Sequence, residues 1–329
     1  MEPMEDYFAA VEDWFSRRFS YDINRKWIIL TPGVVFAAAL AIRAFSNEND
    51  GVLIQTPVYY PFSQVIKDNK RELFTNPLKL VGGRYEIDFE DFERKIADNK
   101  FKIKLFILCS PHNPVGRVWT KNELTRMGDI CLKHGCLIIS DEIHCDFVFG
   151  GHTHHMLPTL SDNLSENTIL CTSPSKTFNL AGLQISNIII PNPALRNKIR
   201  KEFDKTGYSQ LNTAGIFACQ EAYKHGEPWL RELLDYLKGN LDFIREFLSK
   251  ELPLIKLIEP EGTYLVWLDF RETGIDFEAL DDFIVKKAKL WLDSGEIFGH
   301  EGLGFQRINI ACPRKTLEQA MELLKSAFK

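Results

Sequence analysis

The stretch Ile103–His144, IKLFILCSPHNPVGRVWTKNELTRMGDICLKHGCLIISDEIH, decides the fold. Ile103–Cys109 and Cys136–Ser140 are apolar at nearly consecutive positions. Strands covered on both faces read this way, whereas half-solvated strands alternate. Between them, Lys121–His134 has the periodicity of a helix. Strand, helix and strand in succession form the repeating unit of a parallel sheet.

The same alternation extends in both directions. Trp27–Leu30, Val52–Gln55, Thr168–Thr172 and Gln184–Ile190 read as further strands. Val34–Phe45, Pro61–Asn69, Phe89–Asp98 and Pro193–Phe203 read as the helices between them. The expected fold class is therefore α/β, a mainly parallel sheet with helices on both faces. Further on, Asn212–Lys224 and Pro228–Lys250 read as helices. Strands at Ile255–Ile258, Thr263–Phe270 and Gly304–Ile310 then alternate with helices at Phe277–Lys289 and Lys315–Phe328. That is an α+β pattern. Three regions are expected: 1–26, with a helix over Met4–Arg18 packing on the small module; 27–225, the large domain; and 226–329, the small C-terminal domain.

A chain of 329 residues, 45% hydrophobic and 26% charged, has the composition of a globular protein with a sizeable core. Its net charge of -5 gives no reason to expect a nucleic-acid or membrane-surface partner. No apolar run approaches the roughly 18 residues of a membrane span. The acidic start, MEPMED, lacks the pattern of a signal peptide. The seven cysteines form no CxxC pair, and Cys109, Cys136 and Cys171 lie in or beside apolar strands. Reduced, buried thiols in a cytoplasmic protein are expected. His152, His154 and His155 sit in a loop without carboxylate or cysteine at ligand spacing, so a solvated loop and no metal are expected.

Four stretches, each directly after a predicted strand, carry the chemistry: TPGVV (31–35), SPHNPVGR (110–117), SDEIH (140–144) and SPSKTFNLAG (173–182). Residues beyond the carboxyl ends of parallel strands gather in one crevice, where ligands bind. Gly33, opening a helix, offers free N–H groups of the kind that hold a phosphate, although a plain helix start reads the same. Asp141 ends an apolar run and would need a cationic partner, such as a pyridinium nitrogen; a helix cap or metal carboxylate are the alternatives. Lys176, in a turn leaving a strand, is either a surface charge or an imine-forming amine of depressed pKa. Ser173 and Ser175 could donate to a phosphate or orient that lysine. Asn113 has an amide able to donate to a phenolate oxygen, or simply serves its turn.

The order Gly-loop, NP, DE and SxSK resembles the class I/II superfamily of aminotransferases that depend on pyridoxal 5'-phosphate (PLP). More closely, TPGVV, QTPVYYPF, PHNPVGRVW, SDEIH and PSKTFNLAGLQ look like the cystathionine β-lyases, or C–S lyases, of the MalY/PatB type. The resemblance covers nearly the whole chain. It implies the PLP-dependent transferase fold type I, with a seven-stranded-type sheet and a smaller α+β domain. It also implies a homodimer acting on an amino-acid substrate. Lys176 would hold the cofactor as an imine and move the Cα proton. Asp141 would pair with the ring nitrogen, Asn113 would bond the phenolate oxygen and Tyr59 would stack on the ring. Gly33, Val34, Val35 and Ser173 would bind the phosphate. Arg307 would clamp the substrate carboxylate together with Asn113.

Gln184 stands where the wider superfamily often has a phosphate-binding arginine, and His144 where it often has tyrosine. Both changes resemble the lyase branch, and His144 is expected beside the phenolate oxygen. Members of the family carry a further N-terminal segment before the point matching the start of this sequence. It supplies substrate contacts and a tyrosine reaching the partner's phosphate. The expected activity is cleavage of L-cystathionine or related cysteine S-conjugates to thiol, pyruvate and ammonia. A transaminase, and a regulatory protein on the same fold, are the alternatives.

Overall fold

The computed structural model describes residues 3–329. Residues 1 and 2 of the expected N-terminal region lie outside the described residues. The chain opens with α1 (Pro3–Phe19), acidic in its first turn and basic in its last, as the helix dipole favours. Then come β1 (Ile28–Thr31), α2 (Val34–Phe45), β2 (Gly51–Ile54), α3 (Pro61–Asp68) and β3 (Glu72–Thr75). A small hairpin, β4 (Lys79–Val81) and β5 (Arg84–Glu86), leads to α4 (Phe89–Ala97), β6 (Ile103–Cys109), α5 (Lys121–Lys133) and β7 (Leu137–Asp141). The large unit continues through α6 (Asp162–Glu166), β8 (Thr168–Thr172), α7 (Pro174–Thr177), β9 (Ser186–Ile189), α8 (Pro193–Asp204) and α9 (Thr213–His225).

The main sheet has seven strands in the order β1-β9-β8-β7-β6-β2-β3. Pairings among β3, β2, β6, β7 and β8 are parallel, and β9 alone runs against both its neighbours. The strands read from consecutive apolar residues are buried at every position in β1, β2, β7, β8 and β9. The edge strand β3 is partly exposed, and the sequence offered too little apolar signal to find it.

After α10 (Glu227–Glu251), a second, antiparallel sheet has the order β10-β11-β13-β12, with β10 (Lys256–Ile258), β11 (Leu265–Asp269), β12 (Asp293–Ser294) and β13 (Phe305–Asn309). The helix expected over Phe277–Lys289 is not continuous. It comprises a short turn, α11 (Leu280–Asp282) and a wider-wound segment, Phe283–Lys287, in which Ala288 N–H reaches back to Phe283 O. The added width keeps both Ile284 and Ala288 buried, a local adjustment that apolar spacing does not reveal. The chain closes with α12 (Arg314–Ala327).

The expectation that the first helix packs with the C-terminal module needs amending. Tyr7, Val11, Trp14 and Phe15 of α1 are buried in one core with Tyr223 of α9, Leu237 of α10 and Val266 of β11. The Tyr7 hydroxyl also donates to Asn187 Oδ1 in β9, 2.7 Å away. The helix therefore joins the large sheet to the small unit. Among the described residues, no helix is long and apolar enough to cross a membrane.

Candidate active site

Strands β1, β6, β7 and β8 point the same way, so Thr31, Cys109, Asp141 and Thr172 end at one edge of the sheet. Beyond that edge lies a cavity of about 390 Å³. Gly33, Val34, Val35, Tyr59, Asn113, Asp141, His144, Ser173, Lys176 and Arg307 all line it. Residues spread over most of the sequence thus meet in one place. The wall also includes Tyr264 and Asn309 of the small unit, which sequence reasoning missed. A weak signal existed for Tyr264, an aromatic just before the apolar run of β11 and two residues after Gly262.

Asp141 is buried, flanked across the sheet by Cys109 and Cys171. Its Oδ1 accepts the Ile143 N–H at 3.1 Å. Burial is the main reason its pKa is pushed up to about 7, against the opposing pull of that amide and of the Lys176 charge. Lys176 is shifted the other way: burial lowers its pKa, Asp141 raises it and Arg307 lowers it again. An amine and a carboxylate with opposed shifts in one cavity mark a site that handles protons. His144 is buried, its Nδ1 has no hydrogen-bond partner, and burial lowers its pKa to about 3. The ring is therefore neutral. It packs edge-on against Tyr264 at 5.6 Å, and burial pushes that phenol up to about 12.

Arg307 Nη1 donates to Asn113 Oδ1 at 2.8 Å. Because a guanidinium only donates, the Asn113 oxygen must face it, which leaves the Nδ2 hydrogens free for another acceptor. Gly116, a little further along the same loop, has φ +73, and a Cβ there would lie 2.9 Å from Pro260. Glycine is thus what lets the loop close on the small unit. Arg117, buried beside it, binds Glu261 at 2.9 Å and Glu123 at 2.8 Å and stiffens the loop.

At the other end, Gly33 caps α2 without a side-chain hydrogen bond, and a Cβ built there meets nothing within 4 Å. The first N–H groups of α2 therefore open onto free space at the positive end of a helix, an anion site. Ser173 lines the cavity and is also bonded within the protein. Its hydroxyl donates to Ile185 O at 2.7 Å and accepts the Ser175 N–H at 3.1 Å. Its oxygen, by accepting that N–H, caps the lysine-bearing turn. Gln184, at φ 55, lines the cavity.

The wall suits PLP: an under-paired buried carboxylate for a cationic ring nitrogen, an orphan imidazole nitrogen, a free amide donor, an amine of lowered pKa and a helix N-terminus for a phosphate. Behind it, Asp146 Oδ2 accepts the hydroxyl of Thr177, next to Lys176, at 2.7 Å, and its Oδ1 accepts Arg18 Nε of α1 at 2.8 Å. One reading of the histidine loop is corrected. His154 is not solvated but buried, with Nε2 2.7 Å from Glu142 Oε2. Glu142 points away from Asp141 into the core and draws in donors, which also include Ser140 Oγ and the Leu157 N–H.

The family profile described as aminotransferase class I and II matches residues 5–324. The chain belongs to this family. It is 41% identical over 319 residues to cystathionine beta-lyase PatB of Bacillus subtilis (strain 168), covering 97% of this chain and 82% of that one. To protein MalY of Escherichia coli (strain K12) it is 35% identical over 326 residues, covering 99% and 82%. Among solved structures, it superposes on cystalysin from Treponema denticola, which contains a pyridoxal 5'-phosphate cofactor. The TM-score is 0.95 at 41% identity, over 98% of this chain and 82% of that one. The aminotransferase-family fold is thus a PLP-dependent transferase fold of type I, as the motifs implied.

Proposed function

We propose that this member of the aminotransferase family holds PLP in the cavity and cleaves the Cβ–S bond of cysteine S-conjugates such as L-cystathionine, yielding thiol, pyruvate and ammonia. The observation that carries the reading is that Lys176 and Asp141, with opposed pKa shifts, line one cavity whose far end is the N-terminus of α2. The similarity to PatB, MalY and cystalysin supports the lyase branch.

Bound PLP supplies an electron sink conjugated to the substrate Cα. Asp141 would pair with the ring nitrogen and keep its proton in place. Tyr59 would cover one ring face, Asn113 Nδ2 and His144 would serve the phenolate oxygen, and the N–H groups of Gly33, Val34 and Val35 would hold the phosphate. Arg307 receives the substrate α-carboxylate, a planar match that a lysine lacks. With the substrate so oriented, Lys176 Nζ, whose lowered pKa leaves more of it as the free amine, would remove the Cα proton. The Cβ–S bond breaks, the thiolate leaves with the bond's electron pair, and the released enamine is hydrolysed by water to pyruvate and ammonia.

The reading also takes the chain as a cytoplasmic homodimer. The family resemblance supports the dimer, and the seven free thiols support a reducing compartment. The decisive assay is pyruvate release from L-cystathionine by PLP-loaded protein without added keto acid. Lys176→Ala should lose about 10²–10⁴ in rate. Turnover that requires a keto acid would make the chain a transaminase. An unimpaired Lys176→Ala would remove the lysine from the mechanism.

A further inference from the structure

Arg307 has a second carboxylate against it that the mechanism does not use. Asp293 stands directly opposite Arg307 in the β12–β13 pairing. Its Oδ2 accepts from Arg307 Nη2 at 2.6 Å and from Nε at 3.1 Å. Nη1 is tied to Asn113 Oδ1, and the Phe298 ring lies under the guanidinium at 4.7 Å. Asp293 does not line the cavity; it lines a separate groove, whose wall includes Val285, Trp291 and Ile297.

We propose that Asp293 is a positioning residue that sets the affinity for the substrate α-carboxylate by fixing which edge of Arg307 faces the cavity. This rests on the reading of Arg307 as the carboxylate clamp. The donor inventory carries it. Of the five N–H groups of a guanidinium, Asp293 takes the Nε–H and one on Nη2, and Asn113 takes one on Nη1. One hydrogen remains on each Nη; with Asn113 on the Cδ-facing hydrogen of Nη1, these two form the end edge, a two-pronged receptor for a planar carboxylate.

A competing carboxylate would sit in the cavity and have to leave. Asp293 sits behind the arginine, is held in register by the strand pair, and occupies a different edge. Its effect is to immobilise a side chain that otherwise has large rotamer freedom, so that the ordering cost is met before substrate arrives. The Arg307 side chain is only 11% exposed, against 41% for Asp293, so the polar backing lies on the solvent side and the receptor edge on the inner side.

The test uses PLP-loaded protein and two halves of a substrate. 3-(Methylthio)propionate has the carboxylate without the amine, and 2-(methylthio)ethylamine has the amine without the carboxylate. In Asp293→Asn, calorimetric Kd for the acid should rise about tenfold, equivalent to about 1.4 kcal/mol. KM for S-methyl-L-cysteine should rise by a similar factor at nearly constant kcat, and Kd for the amine should not move. Asp293→Ser, with no second carbonyl-like acceptor, should behave alike or worse, and unchanged melting temperatures exclude a folding defect. Acid binding that is unchanged or tighter in both variants overturns the proposal, as does failure of the unmodified protein to bind the acid. If the unmodified protein binds the acid but releases no pyruvate, the lyase reading fails while the comparison at Asp293 still decides this one.

Discussion

Asp141 illustrates how a functional residue is held at the expense of stability. Its carboxyl, pushed up to about 7 by burial, is mostly protonated in the folded chain at pH 6 but ionised in the unfolded chain, whose carboxylates titrate near 4. As pH rises from about 4 to 7, the unfolded chain gives up this proton first, so the group's contribution to stability falls across that window and is flat above it. In cofactor-free protein, Asp141→Asn should therefore raise stability at pH 8, by at most about 4 kcal/mol, and leave it unchanged near pH 4. The same substitution should reduce lyase kcat by about 10² or more, because an amide cannot hold the ring-nitrogen proton. Urea denaturation at the two pH values, beside steady-state rates, measures both arms. Asp141, Lys176 and Asn113 were legible because each lies at, or within four residues of, the end of a strand that its apolar run announces. Asp293 and Asp146 were not, since their partners are set by strand register and loop packing across 14 and 31 positions.

Among the elements, α7 is the one whose existence depends most on its surroundings. A four-residue helix does not form on its own, because nucleation is unfavourable. It is held from the front by the Ser173 cap and from behind by Thr177 bonding to Asp146. Thr177→Val keeps the shape and removes the second support. We expect kcat to fall about tenfold with KM little changed, and stability to drop by about 1.5–3 kcal/mol, the worth of a hydrogen bond to a charged group. Thr177→Ser should restore both. A valine variant with unimpaired kcat would mean that the turn holds Lys176 without this bond. Apolar patterning located most helices and central strands within a residue or two. It failed at β3, β12 and the Phe283–Lys287 segment, where the elements are short, exposed or locally rewound.

At the scale of the whole molecule, Asp146 joins three parts of the chain: the loop after β7, the lysine-bearing turn and, through Arg18, the first helix. Arg18 also lies over the Trp14 ring at 4.8 Å, and Trp14 is fully buried in the core that α1 shares with α9 and α10. Asp146 is almost wholly buried, and its pKa is raised because burial outweighs the opposing pull of Arg18 and of the Thr177 hydroxyl. Arg18→Ala would leave that carboxylate without its cation, at a cost of about 3 kcal/mol. Its pKa would then rise further, so protonation at low pH relieves the orphaned charge. The stability deficit of the variant should accordingly be largest at pH 8 and shrink towards pH 5. Adding Asp146→Asn removes the charge while keeping an acceptor for Thr177, and should recover part of the deficit at pH 8. A deficit independent of pH, and indifferent to the second substitution, would mean that α1 is held by its apolar face alone and communicates nothing to the turn that carries Lys176.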